Sequence, residues 1–192
     1  ITALNKNPDT VIKNFRLKLR QRVLNSDAMN YGLTLAHLKK NDLVEAKQLI
    51  DVLIENNPNQ LIFRHTDIEI DMASKRLQVA AAKLDTLLEK NPNNYPLLLL
   101  QSELHLARKN YHQSSELLTL LTRDRPEDPD IWYRVAEVSG LAGDIAGVHK
   151  ARAEYFILVG AFDRARKQLS RAAILLKNDF KAFKNKNSFF AM

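Results

Sequence analysis

Three glutamates, Glu69, Glu103 and Glu137, recur at intervals of 34 residues. A carboxylate repeated at one place in successive structural units forms an acceptor ladder, suited to hydrogen bonds from a basic or amide-rich extended segment. The plainer reading is that Glu is a good helix former on a solvated face. Catalytic chemistry has less to stand on. The five histidines, His37, His65, His105, His112 and His149, show no HExxH or related ligand spacing and read as surface or packing residues. The chain has no cysteine, which removes thiolate nucleophiles, disulfides and Cys-based zinc or iron–sulfur sites. With five glycines in all and no GxSxG, P-loop or dinucleotide fingerprint, there is little from which to build a phosphate cradle. The chain is therefore expected to be no enzyme, with no cofactor and no metal of its own.

The elements that position the glutamates must be helices. Hydrophobic residues make up 45% of the 192, with only six prolines and five glycines, a balance that favours helix over turn-rich β-structure or disorder. Pro58, Pro92 and Pro126 stand 34 residues apart, each in a helix-ending cluster such as Asn56-Asn57-Pro58-Asn59. Proline has no amide hydrogen and disfavours the α conformation at the residue before it, so each cluster stops one helix and admits the next. Twelve residues before each proline stand the small residues Ala46, Ala80 and Ser114; eight before, Ile50, Leu84 and Leu118; five before, Leu53, Leu87 and Leu121. Small, large and large at offsets of four and three make one helix face. An earlier helix fills the first half of each unit, separated from the second by Lys40-Asn41-Asp42, Ser74-Lys75-Arg76 or Lys109-Asn110.

Two helices per 34 residues is the signature of the tetratricopeptide repeat, and the fold expected is an all-α helical-hairpin solenoid of about 4 to 5 repeats. Units fall at 27–60, 61–94, 95–128 and 129–162, the fourth carrying Trp132 at its fourth position and Gly143-Asp144 at its turn. The register then slips by half a period, because Gly160-Ala161-Phe162-Asp163 repeats that turn 17 residues later. The helix from Ile145 to Val159 is thus expected to serve as second helix of one unit and first of the next. A final helix should run from about Asp163 to Lys177 with Leu169, Ala172, Ala173 and Leu176 inward. The expected organisation is a linking and capping helix in 1–26, the array in 27–177 and a basic tail in 178–192. In the first segment a helix from about Pro8 to Leu24 sets Ile12, Phe15, Leu19 and Val23 on one face.

In such arrays the first helix of each hairpin lines the groove where peptides lie. Positions 2, 5, 9 and 12 supply Tyr31, Leu35 and Leu38, then Ile62, His65, Glu69 and Met72, then Leu99, Glu103 and Leu106, then Tyr133 and Glu137. From these the candidate peptide-binding set is Tyr31, Leu35, His65, Glu69, Met72, Leu99, Glu103, Tyr133 and Glu137, with protein partners or peptide segments as ligands.

The net charge of +7 is concentrated at the ends. Lys13 to Arg22 is basic with no acid. Arg164, Arg166, Lys167 and Arg171 charge the last helix, and Lys177, Lys181, Lys184 and Lys186 carry the charge onward. Phe180, Phe183, Phe189 and Phe190 among them raise a nucleic-acid surface, but a solvated tail or a docking face for an acidic partner is the preferred reading. No apolar run is long enough to span a membrane. A chain starting at Ile1 reads as a fragment or a processed product.

The stretch Asp27-Ala28-Met29-Asn30-Tyr31-Gly32 through Glu45-Ala46-Lys47, ending in Asn56-Asn57-Pro58-Asn59, resembles the first repeat of the C-terminal domain of BepA/YfgC-type periplasmic zinc metallopeptidases. Trp132 followed by Ala151-Arg152-Ala153-Glu154 and Gly160 is similar to that domain's last repeats, half-period slip included. The resemblance spans roughly residues 15 to 176. It departs in 178–192, where the family's long charged closing helix is not read. It implies a periplasmic module in outer-membrane protein assembly and quality control, holding β-barrel assembly components or stalled substrates beside its own protease domain. Zinc would sit in that catalytic domain, which lies outside this chain, so no catalytic residue carries over. The alternative is a stand-alone repeat adaptor or scaffold in another bacterial assembly, in the cytoplasm if the resemblance does not hold. An HExxH motif upstream of Ile1 separates the two.

Overall fold

The computed structural model describes residues 7–20 and 26–189, with side chains through 17 and from 27 to 177, and every described element is a helix. Residues 1–92 and 93–192 form two compact units. The first holds α1 (Pro8–Arg20), α2 (Ser26–Lys39), α3 (Leu43–Asn56), α4 (Leu61–Ala73) and α5 (Leu77–Lys90). The second holds α6 (Tyr95–Ala107), α7 (Tyr111–Leu121), α8 (Pro129–Leu141), α9 (Ile145–Leu158) and α10 (Phe162–Phe189). Within each unit every helix packs on its neighbour in the chain.

The repeat is written into the backbone at the turn inside each hairpin. Asn41, Lys75 and Lys109 have φ of 62°, 62° and 63°, and Gly143 and Gly160 have φ of 80° and 74°. The first four lie one repeat apart and the last half a repeat on, so the slip is visible in conformation as well as composition. Each left-handed residue closes its helix with a backbone bond reaching back five residues: Asp42 N–H to His37 O, Arg76 N–H to Asp71 O, Asn110 N–H to His105 O and Asp144 N–H to Ser139 O, each at 2.9 Å, and Ala161 N–H to Phe156 O at 2.7 Å. These bonds satisfy carbonyls that the helix end would otherwise leave without donors. Left-handed backbone costs a residue with a Cβ about 1 kcal/mol that glycine is spared. Lys75→Gly should accordingly stabilise the chain by about 1 kcal/mol, read as a raised midpoint in urea.

The ends of the hairpins are held by recurring side chains. Arg64 Nε donates to the Pro58 carbonyl at 2.6 Å, and one unit pair later Trp132 Nε1 donates to the Pro126 carbonyl at 2.8 Å. Asn94 and Asp128 cap α6 and α8, each followed by a proline in the first helical turn.

The predicted core face of the three regular repeats is buried. Ala46, Ile50 and Leu53 of α3 are fully enclosed with Phe63 and Ile70 of α4, and Leu118 and Leu121 of α7 with Ile131, Val135 and Ala136 of α8. Val11 and Ile12 of α1, with Phe15, pack on Leu33 and Ala36 of α2. Gly32 makes room for that contact, since a Cβ there would meet the Phe15 ring at 2.5 Å. The expected places of Leu19 and Val23 on this face, and of the phenylalanines from Phe180 onward, lie outside the described side chains.

The slip has the expected consequence, because α9 packs on both α8 and α10. Two expectations about the closing helix need correction. The helix does not stop near Lys177 but continues to Phe189, for no proline or glycine follows Gly160 to end it. Of the four residues expected inward on it, Ala172 is buried, whereas Leu169, Ala173 and Leu176 are exposed. The helix turns Ala165, Gln168 and Ala172 inward instead, a stripe at offsets of three and four.

Candidate functional site

The clearest site lies in the second unit, where the repeat slips. Arg134 of α8 is ion-paired with Glu103 of α6, which ties together two first helices of successive hairpins. Beside Arg134 on α8, Tyr133, Ala136 and Glu137 form a wall of a cleft of about 340 Å³. Arg152, Tyr155 and Phe156 of α9 form the opposite wall, with Gln168 of α10 at the base. The Tyr133 and Tyr155 rings meet edge to face at 5.9 Å, and Tyr155 and Phe156 do so at 5.4 Å. Such edge contacts fix ring orientation and leave the remaining faces for a ligand. Tyr133 is 52% exposed, an open aromatic surface where solvent has direct access. Gln168, buried, holds the His149 imidazole through Oε1 to Nδ1 at 2.6 Å, so the base of the cleft is anchored to α9.

The cleft exists because a core series breaks. Ile50, Leu84 and Leu118 share one repeat position, and the next member of the series is Arg152; Leu53, Leu87 and Leu121 share another, and the next is Tyr155. In α3 and α7 these positions are buried beneath the first helix of the next hairpin. In α9 they carry a guanidinium and a phenol, which line an open wall in place of a core. Arg152, Tyr155, Phe156 and Gln168 were not among the sequence candidates, yet the change from Leu118 to Arg152 at one repeat position was a readable signal for the first of them.

The predicted groove residues fall into different environments. Tyr133 and Glu137 come together in the cleft. Leu99 and Leu106 pack partly buried against the core of the second unit, and Glu103 is engaged by Arg134. In the first unit Tyr31 packs against Phe63 with ring centres 5.2 Å apart and planes tilted by 47°, and shares a hydrogen bond with Thr66 Oγ1 at 3.1 Å. Burial, the largest influence, pushes its phenol pKa up. Tyr31 thus acts as packing between α2 and α4. His65 Nδ1 lies 3.4 Å from Glu69 Oε2 within α4, Leu35 and Met72 are half-buried, and Ile62 is 47% exposed. Each glutamate of the series therefore meets a different neighbour: a histidine at Glu69, an arginine at Glu103 and an aromatic cleft at Glu137.

The first unit also holds a charge network that composition did not reveal. Asp67 of α4, buried, accepts from Lys47 of α3 at 2.7 Å and from Lys83 of α5 at 2.5 Å. Lys83 also reaches Asp71 at 2.6 Å, whose other oxygen lies 2.6 Å from Arg76, and Lys47 is further paired with Asp51. Burial is the largest influence on Asp67 and pushes its pKa up, but hydrogen bonds and charge from the two lysines outweigh it and hold the carboxyl below its usual range. For Lys47 burial is again the largest influence and pulls downward, and Asp51 and Asp67 reverse it, leaving the ammonium above its usual value. The network clamps three consecutive helices in one register.

Among the described residues no group of three or more histidine or acidic side chains could hold a metal ion, and no helix is long and apolar enough to cross a membrane.

Residues 71–137 match the tetratricopeptide-repeat family model. No curated protein matches the chain in sequence. Among solved structures the chain is similar to a tetratricopeptide repeat protein of Parabacteroides merdae, with 15% identity, a TM-score of 0.61, and coverage of 86% of this chain and 71% of that one. It is also similar to MamA of Desulfovibrio magneticus, with 13% identity, a TM-score of 0.56 and coverage of 80% and 85%. A thermophilic TPR protein of Thermus thermophilus gives 15% identity and a TM-score of 0.55, with 87% of this chain and 100% of that one covered. The fold is thus an all-α array of tetratricopeptide-type hairpins.

Proposed function

We propose that the chain is a protein–protein interaction module that holds an extended polypeptide segment, with the cleft between α8, α9 and α10 as its principal site. The observation that carries this reading is the juxtaposition of three aromatic rings with one acid and one base, Glu137 and Arg152, in an open cleft at the slip. Aromatic walls supply contact area at small entropic cost, and the two charges orient a backbone or a polar side chain. An extended segment that alternates aromatic and polar residues suits both. A fluorescent peptide alternating tyrosine with lysine and asparagine should bind the full chain, and Tyr133→Ala should weaken it about tenfold, as loss of an aromatic anchor does. Unchanged affinity in that variant would remove the cleft from the account.

The finer proposal is that the module serves a BepA/YfgC-type periplasmic metallopeptidase and holds β-barrel assembly components or unfolded barrel strands beside the protease. The resemblance in residues 27–59 and 132–160 supports it, as does α10, a long basic closing helix of the kind that family carries. Barrel strands alternate apolar and polar residues, the pattern the cleft suits. Reading the gene upstream of Ile1 tests this directly. An HExxH motif there supports the protease, and an initiation codon or an unrelated domain supports a stand-alone adaptor.

A further inference from the structure

Counting from the left-handed turn residue puts the second helices of the hairpins in a common register. Nine residues on stand Ile50 in α3, Leu84 in α5, Leu118 in α7 and Leu169 in α10. The first three are 0%, 1% and 2% exposed, and Leu169 is 48% exposed. Phe162 and Leu176, seven residues to either side of Leu169, are 65% and 42% exposed, and Ala173 lies beside them. These four fall at heptad-like spacing along one edge of the stripe that α10 buries against α9. The edge is narrow and continuous, the dimensions of a seat for one helix.

The chain contains the template for what sits there. On α3 the corresponding face is covered by α4, whose Phe63 and Ile70 enclose Ile50 and Leu53 and whose Asp67 receives Lys47 at 2.7 Å. Six residues after the turn, the place of Lys47 is taken in α10 by Arg166, whose side chain is 79% exposed and 3.5 Å from Asp163 of its own helix. Lys177 flanks the same edge one heptad and a turn further on, and Arg164, Lys167 and Arg171 add positive charge to the rest of the helix surface, which also carries the exposed Ile174 and Asp163.

We infer that this face of α10 docks an amphipathic helix of a partner protein, seated as α4 is on α3. The docked helix presents an acidic residue four positions after one large apolar residue and three before another, the spacing of Phe63, Asp67 and Ile70. The acid meets Arg166 and the two apolar residues cover Leu169 and its neighbours. A second copy of α10 would set its own arginines and lysines against these, so charge favours an acidic partner over self-association. The width of one helix also suits a protein ligand better than a bilayer, which calls for a broad apolar face.

The probe is a stapled, fluorescein-labelled peptide of the α4 sequence, residues 61–73, titrated against the full chain. It should bind saturably, and Leu169→Glu should weaken it at least about tenfold. Both target residues are solvent-exposed, so neither variant should disturb folding, which circular dichroism checks. Arg166→Glu should weaken the peptide as well, and Asp67→Lys in the peptide should restore affinity to that variant. No saturable binding, or equal affinity in Leu169→Glu, overturns the inference. So does Leu169-dependent self-association in light scattering, which would make the occupant a second copy. Leu169-dependent flotation with phosphatidylglycerol vesicles, in the absence of peptide binding, would make it a membrane.

Discussion

Asp67→Ala should cost the first unit about 3 kcal/mol. Removing the carboxylate takes away the counter-charge that Lys47 and Lys83 share and leaves each ammonium only its second partner, Asp51 or Asp71, so a partly buried network loses its central acceptor. The lysine side chains are 25% and 35% exposed, so water relieves part of the penalty and the loss belongs near the lower end of the range for buried pairs. Adding Lys47→Met to Asp67→Leu should recover part of it, because Lys83 keeps Asp71 as its partner and the half-exposed Asp51 is left to solvent. The pH dependence has a definite sign. The folded carboxyl of Asp67 lies below its ordinary value, so its stabilisation is complete above about pH 4 and is lost as pH falls through the folded-state value. Lys47, held above its ordinary value, stabilises fully below about pH 10 and loses that contribution as pH rises further. Urea midpoints followed from neutral to acid pH in the wild type and in Asp67→Ala should converge as the carboxyl protonates.

Leu118→Ala should cost about 3 kcal/mol, while Leu169→Ala, the same substitution at the same repeat position, should cost less than about 0.5 kcal/mol. Leu118 is 2% exposed in the core beneath α8, and its truncation leaves a cavity that close-packed neighbours cannot fill. Leu169, nearly half exposed on α10, has no such enclosure to lose. Thermal melts of the two variants read the difference directly. Equal losses would mean that α10 is covered in solution.

Much of this architecture can be read from the sequence. The spacing of Pro58, Pro92 and Pro126 located the hairpin boundaries, and the small residues Ala46, Ala80 and Ser114 marked the close approach of helices, all three being fully buried. These are local rules of helix termination and periodicity, which a single chain displays openly. Gly143 and Gly160 likewise announced the half-repeat slip, because left-handed turns favour glycine.

What was missed depends on which neighbours are present. Leu169, Ala173 and Leu176 hold positions like those that a following helix buries in the earlier repeats, whereas among the described residues the packing of α10 is on α9. Asp67 and Lys83 occupy positions where other repeats carry different residues, so periodicity gave no hint that three helices share one ion network. The glutamate series was correct as a spacing, yet the partner of each glutamate is set by side chains outside the series, His65 for Glu69 and Arg134 for Glu103. Glu137 alone of the three lines the aromatic cleft, since Arg152 and Tyr155 break the apolar series opposite it.

Polypeptide binding in the cleft at the slip can be read out residue by residue. A photo-crosslinking phenylalanine analogue placed at Tyr133, 52% exposed, and separately at Val44, 69% exposed on α3, tests it in cells that express the full chain. A cleft that receives polypeptide should give a discrete protein adduct from position 133, diminished when Glu137→Gln and Tyr155→Ala are added, and no comparable adduct from position 44. Equal adducts from both positions, or none from position 133, would contradict it.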